Sequence, residues 1–287
     1  TAMNWSRVKT ILIILFLFTD ILLGAGVISS TRKANTVEPE IISSTVSLLG
    51  QHNITIAPEI IPTKTPDAEY IEAENIITDY GKFAEDIMRE KPQKTDEFTY
   101  ETDRSVLSFS GDCFSYKIKS AEKLFNDGSF GSDLENSAKA MAANFLSANG
   151  FDIKHADIST TKTDNGFDVT FIEKSGKMPV FSSNITVSVT GHNAAEDESN
   201  GIHEVSGSWF NITNQNGSAV ELKSITGILI EFMSMYNGEL PTAITALTLG
   251  YTVFEADTLH RTATLVPVWR ITTDNGSEYF LDARTTD

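Results

Sequence analysis

Cysteine and positive charge are scarce in this sequence. Its 287 residues include one cysteine, Cys113, so an intramolecular disulfide, a Cys-x-x-Cys redox pair and a cysteine-rich zinc module are all excluded. Lysine and arginine number 22 against 39 aspartate and glutamate residues, which gives a formal net charge of -17. Phosphate backbones repel such an acidic chain, so the composition argues against nucleic acid as a partner.

Motifs of the common catalytic and nucleotide-binding classes are also missing. The sequence contains no GxSxG, HExxH, GxxxxGK[ST] or GxGxxG pattern and no EF-hand loop. The five histidines are scattered at spacings that do not favour a metal site, and the acidic residues 196–198 indicate a solvated loop. We therefore expect no catalytic residues, no cofactor and no bound metal.

An apolar run near the start of the chain predicts a membrane-spanning helix. Between Ile11 and Ile28 the only strongly polar residues are Thr19 and Asp20. At about 1.5 Å per residue this run makes a helix of about 27 Å, which is just long enough to cross a bilayer. We assign the helix to residues 11–30. A cleaved signal peptide is the alternative, and in both cases the rest of the chain is exported.

The residues before this run set its predicted orientation. Arg7 and Lys9 directly precede it, and Trp5 occupies the place of an interfacial aromatic anchor. Because basic residues favour the cytoplasmic side of a membrane, we expect residues 1–10 to lie in the cytoplasm. The remainder, from residue 31 on, is then an extracytoplasmic domain.

Acidic and small residues within the run indicate contact with a second helix. A carboxylate at mid-span is costly in hydrocarbon and is usually turned toward a partner, so Asp20 is a candidate contact. Gly24 lies one turn further on, and Ala25 with Ser29 has the i,i+4 spacing of small residues that lets helices approach closely. We predict that Asp20, Gly24 and Ala25 contact another membrane-spanning helix.

A segment rich in Ser, Thr and Pro follows. We interpret residues 31–65 as a tether, with a short strand or helix near residues 41–56. Thr65 and Pro66 have the identities of an N-cap and a first helical residue, and apolar residues at helical spacing continue beyond them. This pattern predicts a helix from Pro66 to about Arg89.

Alternating residues predict strands after this helix. Between Phe98 and Lys119 apolar side chains alternate with polar ones, and Gly111 with Asp112 indicates a turn. Cys113 begins the strand after the turn, where we expect a buried and unreactive thiol. Residues 66–130 are therefore predicted to form the N-terminal part of the extracytoplasmic domain.

The second half of the sequence contains two similar stretches. Residues 132–135 form a capping box that opens a helix ending at Asn149-Gly150, and residues 218–221 open another ending at Asn237-Gly238. A Pro-Val-aromatic sequence lies 29 residues after the glycine in both cases. Strand patterns and Asn-Gly turn signals surround each of these sequences.

These two stretches predict the fold class. We expect an α+β domain in which residues 131–212 and residues 213–287 are two modules, each made of one helix packed on an antiparallel sheet. In this arrangement each helix covers one face of its own sheet.

Both ends of the sequence resemble the YycI family. Residues 3–11 (Met-Asn-Trp-Ser-Arg-Val-Lys-Thr-Ile), which run straight into the apolar span, are similar to the start of YycI, a regulator found with YycH beside the WalK (YycG) sensor histidine kinase of low-GC Gram-positive bacteria. Residues 249–251, 265–271 and 279–283 are similar to the closing strands of that family. Residues 31–130 match it only in position and length.

The resemblance implies an accessory regulator without catalysis. Its extracytoplasmic domain would pair with a YycH-like protein, and its membrane helix would pack with those of that protein and of a WalK-like kinase. The resemblance also implies a YycH-like or PepSY-like fold and a role in cell wall homeostasis. Within the matching strand, Trp269 and Arg270 are candidates for a surface contact, and a structural stack explains the pair equally well.

Two other functions stay open. An exported hydrolase would use carboxylates such as Glu231 or Asp257 and would need two acids converging in a cleft. A PepSY-like inhibitor or sensor domain would hold a peptide or a small ligand against its sheet, in an apolar pocket between the two modules.

Overall fold

The computed structural model describes residues 37–119, 134–164, 166–190, 201–214, 217–236, 240–254 and 262–285. The predicted membrane helix at 11–30 and its flanking residues lie outside this part, so the predictions for Trp5, Arg7, Lys9, Asp20, Gly24 and Ala25 remain predictions. Within the described ranges, no helix combines the length and the apolar character that crossing a membrane requires.

Four α-helices and sixteen strands are present in the described ranges. The helices are α1 (Pro39–Gln51), α2 (Tyr80–Met88), α3 (Leu134–Ala148) and α4 (Ile225–Met235), with a short 3-10 helix at Pro58–Ile60. The strands are β1 (Ile54–Ile56), β2 (Ala68–Glu69), β3 (Ile71–Asn75), β4 (Gln93–Lys94), β5 (Thr99–Glu101), β6 (Ser105–Ser110), β7 (Cys113–Ile118), β8 (Asp157–Thr163), β9 (Gly166–Ser175), β10 (Met178–Thr190), β11 (Gly201–Ser208), β12 (Phe210–Asn214), β13 (Ala219–Val220), β14 (Thr242–Val253), β15 (Thr262–Thr273) and β16 (Glu278–Asp282).

The predicted fold of two modules, each with one helix on its own antiparallel sheet, is wrong. Fourteen strands belong to one mixed sheet, whose main path runs β12-β3-β15-β14-β10-β11-β7-β6-β5-β4, with β1, β16, β8 and β9 attached beside it. Strand β14 pairs in parallel with both β1 and β10. Such parallel pairs join strands that are distant in sequence, which two consecutive antiparallel modules would not do.

The described chain divides into two units. Unit 1 takes the segment that ends at Asp67, together with Leu222–Leu247 and Ile271–Leu281. Unit 2 takes Ala68–Glu221, Thr248–Arg270 and the segment from Asp282 on. Both units therefore combine early and late parts of the chain.

The repeat of sequence landmarks does not correspond to a repeat of structure. The first predicted helix is confirmed as α3, and it is followed by Gly150 with φ +85°. Residues 219–220, however, form β13, which pairs with β2. Helix α4 starts only at Ile225, where the hydroxyl of Ser224 accepts a hydrogen bond from Gly227 N at 3.2 Å.

The helix predicted from Pro66 to Arg89 is shorter than expected. Residues 71–75 form β3, in which Ile71, Ala73 and Asn75 are buried and the two intervening glutamates are exposed. This period of two is the pattern of a strand, and β3 pairs with both β12 and β15. The helix is confined to α2, whose N-cap Asp79 accepts a hydrogen bond from Lys82 N at 2.7 Å.

Unit 2 buries one face of an antiparallel sheet beneath α2 and α3. Helix α3 contributes the buried residues Ala138, Met141, Ala142, Phe145 and Leu146. The sheet contributes alternate residues such as Val169 and Phe171 of β9 and Val187 of β10, all fully buried. The hairpin predicted at Gly111 is confirmed between β6 and β7, with φ +58° at that glycine.

The opposite face of this sheet carries a row of hydroxyl groups. Six residues on six neighbouring strands follow one another in cross-strand register: Ser159, Thr170, Thr186, Ser206, Ser115 and Ser108. The hydroxyls of Thr170 and Thr186 are 3.0 Å apart. Because side chains alternate along a strand, the residues between the buried apolar ones form this polar face.

Unit 1 contains α1 and α4, which pack against each other. Part of the segment predicted as a tether is ordered here, because α1 buries Ile42, Thr45 and Leu49. In the same unit the ring of Phe232 on α4 lies 5.1 Å from that of Tyr279 on β16. The tight turn predicted at residues 274–276 is confirmed between β15 and β16.

Glycine at position 250 is predicted to be required for packing in unit 2. A Cβ atom there would lie 2.5 Å from both the Phe181 ring and the Pro179 carbonyl oxygen. We expect Gly250→Ala to lower the free energy of unfolding by about 1–3 kcal/mol, because the new methyl group would overlap the Phe181 ring and the Pro179 backbone. The control is Gly50→Ala on α1, where the new Cβ meets nothing within 4 Å apart from adjoining residues and the backbone of its own helix. Equal denaturation midpoints for the two variants in guanidinium chloride would contradict this account.

Candidate functional site

Trp269 and Arg270, the predicted surface contact, point to opposite faces of β15. Trp269 is 2 % exposed and belongs to the core, and its Nε1 has no hydrogen-bond partner among the described residues. Arg270 is half-buried, and its guanidinium lies over the ring of Phe181, 4.6 Å from the centroid. The two residues therefore do not stack on each other.

Three strands build the stack around Arg270. Phe181 lies on β10, directly after Val180. Val180 pairs with Tyr251 of β14, and the two strands are parallel at this pair. Its ring lies across Gly250 of β14, where no side chain competes for the space. Arg270 on β15 then covers this ring. This geometry is that of a cation–π pair that packs a sheet surface.

A second arginine–phenylalanine stack in unit 2 was not predicted from the sequence. The Arg284 guanidinium lies 4.0 Å from the centroid of the Phe254 ring. Phe254 is 46 % exposed, whereas the Arg284 side chain is only 16 % exposed. The arginine therefore contacts one face of the ring, and the Phe254 side chain stays partly open to solvent.

Arg284 is held in place by a bidentate contact with Asp282. Its Nε donates to Oδ1 at 2.9 Å, and its Nη2 donates to Oδ2 at 2.6 Å. The Asp282 Oδ1 also accepts from the backbone N–H of Arg284 at 2.9 Å. These hydrogen bonds to Asp282, with a further one to Tyr70, hold the pKa of Arg284 above its ordinary value. The guanidinium is therefore a fixed cation.

An exposed aromatic ring on a fixed cation is suited to protein binding. Phenylalanine and arginine are enriched at the buried centre of protein interfaces, and arginine is among the residues that most often dominate the binding energy. A ring that is already immobilised loses little conformational freedom when a partner covers it. We name Phe254, Arg284 and Asp282 the Phe254 cluster, and we take it as the candidate functional site.

The carboxylates proposed for a hydrolase are not brought into a described cleft. Glu231 lies on α4, where its Oε2 accepts from Lys223 Nζ at 2.9 Å. Asp257 lies outside the described residues. In the ranges that the structure describes, no group of three or more His, Cys, Asp or Glu side chains is placed to hold a metal ion.

The chain was compared with known families, curated proteins and solved structures. No family profile matches it, and no curated protein does. One similar solved structure is that of an uncharacterized protein from Eubacterium rectale ATCC 33656, which has 11% identity and a TM-score of 0.48 over 82% of this chain and 89% of that one. A likeness of this size carries no argument about function. The resemblance to YycI is neither supported nor opposed by these comparisons.

The expectation that Cys113 is buried is wrong. The thiol is exposed, because Cys113 is the first residue after the turn at Gly111 and the core-facing position falls to Phe114 instead. Its neighbour across the hairpin is Ser110, which is also exposed. The alternation of β7 was predicted correctly, but Cys113 was placed on the wrong face.

We therefore predict that Cys113 reacts in the native protein. Maleimide should label one thiol per chain without denaturant, because the sulfur is open to solvent. The measurement is the mass of the intact chain over time, with Cys113→Ser as the unlabelled control. Labelling that appears only after addition of denaturant would show that the thiol is buried.

Proposed function

We propose that this chain is a membrane-attached accessory regulator of a sensor histidine kinase, and that it acts outside the cytoplasm by binding partner proteins. The observation that carries the proposal is the Phe254 cluster, in which a ring that is 46 % exposed rests on a clamped arginine. The resemblance to YycI supplies the partners: a YycH-like protein and a WalK-like kinase.

The energetics of the Phe254 cluster favour a protein as the partner. Complete burial of an aromatic side chain contributes about 1.5–3 kcal/mol, and Phe254, which is 46 % exposed, would gain about half of this. Desolvation strengthens its cation–π contact to about 2 kcal/mol. The bidentate ion pair with Asp282 keeps Arg284 aligned before any partner arrives. One such ring can therefore dominate a modest interface.

Membrane attachment is the second part of the proposal. The apolar residues 11–28, with Trp5, Arg7 and Lys9 before them, would hold the chain at the membrane with its N-terminus in the cytoplasm. Confinement to one membrane raises the effective concentration of the partners, so a weak contact through the Phe254 cluster would suffice.

Helix contacts in the membrane would carry the regulatory signal. Asp20, Gly24 and Ala25 would pack against a helix of the YycH-like protein or of the kinase. Regulation requires that this packing favour one kinase conformation over the other. A difference of about 1–3 kcal/mol between the two conformations changes their ratio about 5- to 150-fold.

The first test removes the exposed ring. We expect Phe254→Ala to weaken binding of the extracytoplasmic partner at least about tenfold, as loss of a dominant interface residue does. Affinity is measured by titrating the full-length chain in detergent with the YycH-like protein. The matched control is Phe98→Ala, which removes a ring of unit 2 that is 44 % exposed and not stacked on an arginine in the described part of the chain. Equal affinities for both variants and the unaltered chain would contradict the role of the cluster.

The second test alters the membrane run. We expect both Asp20→Leu and replacement of residues 11–28 by a generic leucine-rich helix to reduce recovery of the kinase and to change its phosphorylation state. Membrane insertion is kept in both, since the replacement residues are apolar. The readouts are co-purification from membranes and kinase output in cells. Unchanged partners and unchanged output in both altered chains would refute coupling through this helix.

A further inference from the structure

One carboxyl group lies on the apolar face of unit 2. Glu173 is on β9, and strand alternation places it on the same face as Val169 and Phe171. It is 6 % exposed, although glutamate is almost never fully buried without a partner. Its Oε2 is buried and has no hydrogen-bond partner among the described residues.

Burial without a partner makes the neutral form of this group favourable. An ionised carboxylate in an apolar environment loses its hydration, and the loss is not offset unless a cation or several donors replace the water. Burial, and secondarily the negative charge of Asp152, raise the pKa of Glu173 to about 7. An ordinary glutamate has a pKa of 4.5.

The neighbouring charge that acts on Glu173 is that of Asp152, which is negative and so does not offset its burial. Asp152 pairs with Lys154 at 3.7 Å, and Asp157 pairs with Lys174 at 2.6 Å. Two helices lie on the same side of the sheet. Helix α3 carries Glu135 and Lys139, which pair with each other, and helix α2 carries Lys82, Glu85 and Asp86. Strand β10 has no ionisable residue, and His155 is the remaining titratable group of the neighbouring segment.

A short segment joins the sheet beside Glu173. Residues 152–156, which we call the linker, connect the end of α3 to β8. Asp157, the first residue after the linker, pairs with Ile172, so the linker ends next to Glu173. Ala156 and Ile153 are partly buried against the core and are joined by a hydrogen bond of 3.2 Å between Ala156 N and Ile153 O.

The linker is the easiest part of this region to open. It has neither helix nor ladder hydrogen bonds, and segments of this kind open at lower free energy than strands or helices. Before it, Phe151 is anchored by its hydrogen bond to Leu146 O at 3.1 Å and by ring contacts with Phe83 and Trp209. Because the linker packs on the core beside Glu173, its displacement would open this part of the core to water.

We propose that a proton on Glu173 keeps the linker closed over the core of unit 2, and that loss of this proton as the pH rises releases the linker. The device senses acid: the closed form is favoured where Glu173 is neutral. It requires no ligand and does not depend on the function proposed above. A released linker would free the N-terminal end of β8 and the adjoining turn.

The direction of the pH effect follows from the two pKa values. Below pH 4.5 the carboxyl is protonated whether the linker is open or closed, so the opening constant does not change. Between pH 4.5 and about 7 the open form ionises while the closed form stays neutral, so opening increases up to about tenfold per pH unit. Above about pH 8 both forms are ionised and the curve is flat. The whole rise is at most about 300-fold.

Hydrogen exchange of the full-length chain in detergent tests the proposal. Exchange rates of the linker amides are measured from pH 5 to pH 8.5 in the unaltered protein and in Glu173→Gln. At each pH the rate in the unaltered protein is divided by the rate in the variant, which removes the intrinsic pH dependence of exchange. We expect the ratio to rise steeply up to pH 7 and then to level off. Glu204→Gln, which alters a partly exposed glutamate paired with Lys117 on the same sheet, should behave as the unaltered chain. The proposal is overturned if the ratio to Glu173→Gln does not change with pH. It is also overturned if the ratio of the unaltered protein to Glu204→Gln rises with pH by the same amount.

A direct titration decides the matter if Glu173→Gln does not fold. Carboxyl ¹³C NMR of the glutamate-labelled chain, with and without Asp152→Asn, reports the ionisation of Glu173 itself. We expect one resonance to titrate near pH 7 in the unaltered chain and at a lower pH in Asp152→Asn, because the neighbouring negative charge is lost. Titration of all glutamate carboxyls between pH 4 and 5 overturns the proposal.

Discussion

Burial of one face of the antiparallel sheet in unit 2 is the interaction on which most of the described structure depends. The aliphatic and aromatic residues of β9 and β10 meet α2 and α3, and each fully buried side chain contributes about 1.5–3 kcal/mol. The same alternation leaves a row of hydroxyls on the other face. It also makes Glu173 an exception, because its position in the strand sends a carboxyl toward the apolar side.

The features predicted correctly from the sequence are local ones. The end of α3 at Gly150, the turn at Gly111 and the turn at residues 274–276 depend on a few consecutive residues. The prediction of one helix from Pro66 to Arg89 failed because residues 71–75 form β3, which is stabilised by pairing with β12 and β15. The residues of those two strands are far away in sequence. The prediction of two similar modules also failed because strand pairing is not a local property. A Pro-Val-aromatic sequence indicates a strand but does not determine which strand pairs with it.

The candidate site could be predicted only in part. Arg270 could be selected from the sequence by its residue type. Its partner Phe181 could not be selected, because only the pairing of β10, β14 and β15 brings the two side chains together. Phe254 and Arg284 were missed for the same reason. Glu173 left a readable signal: it is in phase with Val169 and Phe171, and a charged residue in that phase departs from the apolar pattern.

The parallel pairing of β1 with β14 has a consequence for how the protein is made. Thr55 and Thr242 share a hydrogen bond although 187 residues separate them, and β3 pairs with β15 across a comparable distance. Native contacts this remote form late, because a long loop must close first. While the chain emerges N-terminus first, the partners of β1 and β3 do not yet exist. Until β14 and β15 are synthesised, the backbone groups of β1 and β3 that pair with them stay unpaired. A chaperone that holds unfolded chains would have its greatest effect at this stage.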